Sequence, residues 1–354
     1  MKRISKTLAL ILALVMIFAL AACGSGDTTP TDSSKPADTS KPAESVDPIV
    51  YRLSLITAID DPITIAANDF AENVKAKTEG RVTVEVYPAN QLGDATAVFD
   101  EIIRGTIDMA YAPPADNYEP DIYLSFLPYL ATSYEDLPAV YGKDGYLFQE
   151  TSKLYENLNI KFLGYGCVGF LGIGATKAIL YANKEIIPGS LIRTSADLLS
   201  KLTIEGMGYN VSTMPYVDVF SGLQTGIIDG WLGGNPSINY FSFRDVIDYF
   251  YYYKVMMENY HFYVNQDSFN KMSDEDQAIF EACADEMFEK SYADAQALDE
   301  QYLKELADFG IEVIEFTDEE MAEIAENVRE NVWPRIAADK YSEDFIEELK
   351  DSLK

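Results

Sequence analysis

The 354-residue chain carries 58 Asp and Glu against 27 Lys and Arg, a formal net charge of −31, with one histidine and three cysteines. Nucleic acid is thereby excluded as a partner, because binding it requires a basic surface that neutralises phosphates. No His/Cys set has zinc spacing and a lone histidine is poor material for acid–base chemistry, so neither a metal, a cofactor nor an enzyme is expected.

The first residues place Lys2, Arg3 and Lys6 before an uncharged apolar run that ends in small residues at Cys23. This is the layout of an export signal over residues 1–22, and the run is shorter than the roughly 20 residues that a spanning helix needs. "LAAC", Leu20 to Cys23, resembles the lipobox of bacterial lipoproteins, which implies cleavage before Cys23 and a lipid anchor on its sulfur. Residues 23–48, with no aromatic side chain and a near-repeat of "DTSKPA", read as a disordered tether that cannot bury enough apolar surface to order itself. The acidic charge gathers in the C-terminal third, where it reads as a solvated helical face.

Folded chain is expected from about residue 49, long enough for two domains. "YRLSLIT" reads as a strand. Asp61 and Pro62 then form an N-cap and first helical residue for a segment that ends at Gly80. "RVTVEVYP" alternates with Val82, Val84 and Val86 on one face, a second helix stops at Gly105, and "IDMAYAPP" is a third strand. That order is the βαβ alternation of a mostly parallel sheet. "IKFLGYGCVGFLGIGATKAI" is too rich in glycine for a helix and reads as one or two strands; its GxGxxG-like register is rejected as a dinucleotide loop because no helix opens behind it. "SLIRTSADLLSKLTIEGMG" gives a strand, caps at Thr194 and Ser195, and a helix. "VSTMPYVDVFSGLQTGIIDGW" repeats the strand, helix, glycine, strand order. "DYFYYYKVMMENYHFYVN" is strand-like, and two acidic amphipathic helices follow, the second opened by a capping box at Thr317 to Glu320.

Phe99, Ile102, Gly105, Ile107 and Asp108 recur at one constant offset as Phe220, Leu223, Gly226, Ile228 and Asp229. The echo suggests that each half of the chain holds a helix stopped by a left-handed glycine and a strand opened by Asp. The expected fold is therefore α/β and bilobal, like a periplasmic binding protein: two βα domains joined by crossing strands, with long C-terminal helices. Its boundaries are residues 49–168 for the first part of lobe I, 169–252 for lobe II, and 253–354 for the crossing strand returning to lobe I and the C-terminal helices. A ligand would sit between the lobes, off the carboxyl ends of the strands.

Arg193 is the most informative polar residue. Its guanidinium fork beside a helix N-terminus suits a carboxylate, and the alternative is a salt bridge to one of the many acids. Trp231 and Asn235 are candidate ligand contacts, with Gly233 and Gly234 allowing close backbone approach. In the first half Tyr111 and Tyr118 flank "APPADN", which holds Pro113, and Asp94 closes "QLGD"; these four are further candidate ligand contacts. His261, inside an aromatic run, reads as a hydrogen-bonded core or edge histidine. Cys167 and Cys283 read as buried free thiols, although one disulfide is arithmetically possible.

"FAENVKAKTEGRVTVEVYPANQLGD", "IIRGTIDMAYAPP", "IR" before a helix and "VDVFSGLQTGIIDGW" together resemble the substrate-binding proteins of TRAP (tripartite ATP-independent periplasmic) transporters, from about Tyr51 to His261. The resemblance implies a two-lobed extracytoplasmic receptor that closes on a small organic acid and delivers it to an ion-driven TRAP permease. Arg193 matches the family's carboxylate-binding arginine and Tyr216 its ligand-facing aromatic. "DGWLGGN" displaces the family's asparagine to Asn235, and a second cleft arginine would fall near Leu171, where this chain has no cation. A monocarboxylate with an apolar or aromatic remainder is expected, with a ligand-sensing receptor subunit or a cell-surface enzyme as the alternatives.

Overall fold

The structure is a computed structural model that describes residues 48–353 apart from Asp116. The export signal, Cys23 and the tether up to residue 47 lie outside the described residues.

The described chain opens with β1 (Ile49–Ser54), α1 (Pro62–Lys77), β2 (Val82–Tyr87), α2 (Ala95–Ile103) and β3 (Met109–Ala112). Local chemistry sets these boundaries. The Asp61 carboxylate accepts from Ile63 N at 2.8 Å with Pro62 at the first position, and Asp94 accepts from Ala97 N at 2.9 Å, so both helices start where a side chain satisfies an unpaired amide. β1 lies between β2 and β3 and runs parallel to both.

Short helices α3 (Leu137–Tyr141) and α4 (Tyr146–Glu156) lead to β4 (Ile160–Phe170), and β5 (Ile173–Ala175) follows almost at once. Next come β6 (Leu191–Thr194), α5 (Leu198–Gly206), β7 (Asn210–Thr213), α6 (Val219–Gln224), β8 (Gly230–Leu232), α7 (Pro236–Ile238) and β9 (Tyr249–Tyr251). β10 (Met257–Asn265), α8 (Gln266–Phe269), α9 (Asp274–Phe309), β11 (Glu312–Ile314), α10 (Asp318–Asn331), α11 (Trp333–Ala337) and α12 (Glu343–Ser352) complete it. The capping box at Thr317 and Glu320 is formed as expected.

Among the described residues the strands form a five-stranded sheet, β2-β1-β3-β10-β4, and a six-stranded sheet, β11-β9-β5-β8-β6-β7. β10 is antiparallel to β3 and β4, and β5 is antiparallel to β8 and β9. The chain crosses between the sheets from β4 to β5, back from β9 to β10, and again from α9 to β11. The first two crossings bond to each other, Leu171 N to Met256 O and Val255 N to Leu171 O, both at 3.0 Å. The third has no local sequence signal: β11 pairs in parallel with β9, so the C-terminal segment serves both sheets. At 1.5 Å per residue, the 36-residue α9 is about 54 Å long. Its first half packs Phe280, Cys283 and Met287 against the five-stranded sheet, and Leu306 near its end joins the core that extends under the second.

Phe70, Phe262 and Phe280 meet edge to face with centroids 4.9 and 5.0 Å apart, fixing α1 and α9 on one side of the five-stranded sheet. On the other side lies His261, its Nδ1 2.8 Å from the Tyr155 hydroxyl and its Nε2 2.9 Å from Ser125 Oγ. Burial pushes this imidazole down to about 3, so it is a neutral core group. Cys167 and Cys283 are both buried and free.

Candidate functional site

Arg193 is set by the second sheet. β6 lies between β7 and β8, parallel to both, and Arg193 is in register with Trp231 of β8, so the two side chains leave the same face. Arg193 is 5% exposed. Its Nε, at 2.8 Å, and Nη2, at 2.5 Å, both donate to Met214 O, in the turn that follows β7. Two of its five N–H donors are thereby committed, and among the described residues it makes no ion pair. Burial lowers its pKa, and Asp197 and Tyr216 oppose the shift. A guanidinium that has lost much of its water without gaining a carboxylate is primed to accept one.

The expected helix contribution differs from what was read in the sequence. Asp197, rather than Thr194 or Ser195, caps α5: its Oδ1 accepts from Ser200 N at 2.8 Å, while Ser195 Oγ bonds to the same carboxylate. The helix N-terminus therefore already holds an anion, which leaves recognition of an incoming carboxylate to the guanidinium.

Beside Arg193 stands an aromatic group. Tyr216, 53% exposed, has its ring centroid 5.9 Å from Trp231 and 6.0 Å from Phe243. Trp231 and Phe243 are 4.3 Å apart, and Phe220 lies 6.5 Å from Phe243. Trp231 is 2% exposed and its indole N–H donates to Asn239 Oδ1 at 3.1 Å, so it is the floor beneath Tyr216 and not an exposed stacking surface. Glycines make room for that floor. A Cβ on Gly174 would lie 2.9 Å from the indole nitrogen, and one on Gly233 only 2.5 Å from the ring. The space kept free at Gly233 is filled by Trp231, correcting the expectation that it admits a ligand.

The other sequence candidates are committed elsewhere. Asn235 caps α7: its Oδ1 accepts from Ile238 N at 3.0 Å and Ser237 Oγ at 2.8 Å, and its Nδ2 donates to Val168 O at 2.7 Å. It ties the second sheet's loop to β4, and no donor is left for a ligand beyond its remaining amide hydrogen. Tyr111 is buried in the first sheet's core, its hydroxyl seated where Gly166 has no side chain. Tyr118 is at the surface, donating to Asp100 Oδ1 at 2.8 Å, and Asp94 is the cap of α2. Pro113 is half-buried just beyond β3, and Leu171 is half-buried in the first crossing. Phe220 and Phe243 were missed. Phe220 sits in the echoed segment and reads as core by analogy with Phe99; no local signal marks Phe243.

A separate cavity of about 520 Å³ is lined by α1, α9, the end of β4 and α7, and includes Asp61, Asp69, Glu72, Asp294 and Asn235, but none of Arg193, Tyr216 or Trp231. Its carboxylates outnumber its one cation, Lys290, which is already paired with Asp294, a charge balance that disfavours an anionic solute.

The model of the family described as bacterial extracellular solute-binding protein, family 7 (DctP), matches residues 53–340. Among curated proteins the chain is 25% identical to the ectoine-binding periplasmic protein TeaA of Halomonas elongata over 67% of this chain and 70% of that one. It is 29% identical to the C4-dicarboxylate-binding periplasmic protein DctP of Rhodobacter capsulatus, over 55% of this chain and 58% of the relative. An uncharacterized Haemophilus influenzae protein is 27% identical, and the chain spans half of its length. Among solved structures, TRAP periplasmic solute-binding proteins from Ochrobactrum anthropi and Rhodobacter sphaeroides superpose with TM-scores of 0.77 and 0.76 at 20% and 22% identity. Each match covers 86% of this chain, and 94% and 98% of theirs. Among the described residues no helix is long and apolar enough to cross a membrane. The fold is that of the TRAP periplasmic solute-binding proteins, and the chain belongs to bacterial extracellular solute-binding protein family 7, a family of binding proteins and not of enzymes.

Proposed function

We propose that this protein captures a small organic acid in a cleft between two lobes, one built on each sheet, and passes it to an ion-coupled TRAP permease while anchored by lipid at Cys23. One observation carries the reading: among the described residues the buried Arg193 guanidinium has three N–H donors uncommitted and no carboxylate partner, within electrostatic reach of the exposed Tyr216. Arg193 binds the ligand carboxylate and Tyr216, backed by Trp231 and Phe243, covers its remainder. The permease and the anchor rest on family membership and on the sequence around Cys23.

The remainder of the ligand is apolar or aromatic. Leu171 stands where the family resemblance places a second arginine, and its backbone is fixed in the crossing, so one carboxylate is matched and a second is not. Solved relatives hold acids of one carboxylate, among them orotic acid and L-gulonate, which agrees with a single fork. The test is calorimetric titration of the purified mature chain against a carboxylate panel, preceded by native mass spectrometry to identify any co-purified acid. A monocarboxylate is expected to bind best. Tighter binding of a dicarboxylate, or no loss of affinity in Arg193→Ala, would refute the assignment.

A further inference from the structure

We propose that Asp299 fastens the hinge: one buried carboxylate from α9 pins both primary crossings and sets how firmly the two lobes are held at their pivot. The proposal rests on the two-lobed reading above but not on which solute is bound.

Asp299 is 1% exposed. Its Oδ2 accepts from Phe170 N at 3.1 Å, at the end of β4 where the first crossing begins. The same oxygen accepts from the Tyr252 hydroxyl at 2.6 Å, at the start of the crossing back, and from the Tyr134 hydroxyl at 2.5 Å. The Tyr134 and Phe170 rings meet edge to face with centroids 5.0 Å apart. Three donors on one oxygen is a saturated arrangement best served by an anion. Among the described residues the other oxygen, Oδ1, has no hydrogen-bond partner. It faces Gly169, where a Cβ would lie 2.9 Å both from Oδ1 and from the Asn235 amide nitrogen.

The surroundings make this a pivot. Gly169 has φ +137° and Lys254 φ +47°, so backbone freedom and backbone strain flank the pinned residues. A lobe rotation absorbed at these positions turns about Phe170 and Tyr252, which Asp299 holds to a helix common to both sheets.

The fastening depends on charge. Burial pushes the Asp299 carboxyl up to about 6, against the three hydrogen bonds and Lys254, which favour the anion. Protonation as pH falls through about 6 weakens three charge-assisted bonds. The other groups facing Asp299 are Tyr134 and Tyr252, both raised far above their working range; Cys167, also raised by burial; and Glu258, which burial and the nearby Asp61 and Asp299 push up to about 7. Of these only Glu258 titrates in the same window.

The test is amide hydrogen exchange of the full chain without added solute at pH 7.5 and 5.0, corrected for the intrinsic rate, read at Phe170 and across residues 168–173 and 252–257. Native protein is expected to lose about tenfold of its protection at pH 5.0, the ratio between a charge-assisted and a neutral hydrogen bond. Asp299→Asn is expected to show the low protection at both pH values while its unfolding transition remains cooperative, and Glu258→Gln to keep the native profile. Tyr252→Phe, which keeps the ring and removes one donor, should give an intermediate loss at pH 7.5. Protection independent of pH in native protein, or a native profile in Asp299→Asn, would overturn the proposal; so would a flat profile in Glu258→Gln, which would move the titration to that residue. Arg193→Ala leaves all of these profiles unchanged, so failure of the solute assignment and failure of the hinge assignment are separately visible.

Discussion

Residues 99–112 and 220–232 are two solutions to one local problem, and they differ most in the burial of one aromatic position. In each, a helix ends at a left-handed glycine, Gly105 with φ +74° and Gly226 with φ +71°. The turn amides then reach back identically: Gly105 N to Ile102 O and Thr106 N to Glu101 O in one, Gly226 N to Leu223 O and Ile227 N to Gly222 O in the other. The aspartate that opens each strand accepts from a backbone amide of the neighbouring parallel strand at 2.9 Å, Asp108 from Arg52 N and Asp229 from Leu191 N. A carboxylate at that position closes the end of a parallel ladder, which explains why the pattern recurs. The difference is the aromatic residue one turn before the helix ends. Phe99 is fully buried against Tyr155 and Tyr263, whereas Phe220 is 38% exposed and faces Phe243 in the group beside Arg193. The shared residues build the sheet; the position released from the core joins the aromatic group beside Arg193.

The sharpest way to break the comparison is at that aromatic pair. Phe99→Ala is expected to cost about 3–5 kcal/mol of unfolding free energy, as for a fully buried aromatic, and Phe220→Ala only about 1 kcal/mol. Chemical denaturation of both variants measures it. Phe220→Ala is further expected to weaken solute binding, which Phe99→Ala leaves unchanged in the folded fraction. Equal destabilisation would mean that Phe220 is core.

Next in size are the strand-opening aspartates. Asp108→Ala and Asp229→Ala each strand an amide of the neighbouring strand, and each should cost about 1–3 kcal/mol. Asp108 is expected to be the costlier, because its Oδ1 also accepts from Ser268 Oγ at 2.9 Å, whereas the second partner of Asp229 is the exposed Lys177. The reverse order in thermal melts would argue that the two carboxylates are not equivalent.

The smallest expected effect is at the glycines. Alanine at Gly105 or Gly226 must take the left-handed conformation, a cost of roughly 1–2 kcal/mol. The two values should agree closely, because among the described residues nothing beyond the chain neighbours lies within 4 Å of a Cβ at Gly226 and the nearest atoms at Gly105 stand at ordinary contact distance, 3.6 Å. A difference above about 1 kcal/mol in denaturation would show that one of the turns is strained by something other than its dihedral angle.

The fold was largely legible because its signals are local. Asp61 with Pro62, the alternation at Val82 to Val86, the left-handed glycines and the capping box at Thr317 each act within a few residues, and each stands where the sequence put it. Fold-level contacts leave no such local mark. β11 is three residues long and is a strand only because β9 offers it an edge. The cap of α5 moved from Thr194 and Ser195 to Asp197 because the chain continues three residues past β6 before the helix can turn.

The charge of the proposed site is visible in the sequence, whereas the side chains around it are not. Arg193 stood out because a guanidinium behind an apolar run in an acidic chain is rare enough to need a reason. The chemistry of Trp231 and Asn235 suits ligand contacts, but it is engaged by Asn239 and by the α7 amide and Val168 carbonyl. Whether a polar side chain is still available depends on partners far off in sequence, and a single sequence does not display them. Phe243 and Asp299 matter for what converges on them, from residues as distant as Tyr134.

The most direct test of the central assignment is calorimetric titration of native protein, Arg193→Ala and Arg193→Lys with the tightest-binding monocarboxylate. Loss of a charge-assisted fork predicts at least about a tenfold loss of affinity in Arg193→Ala, with Arg193→Lys recovering only part of it because a point charge cannot make both bonds. Native affinity in Arg193→Ala, in a protein whose unfolding transition is unchanged, would contradict it.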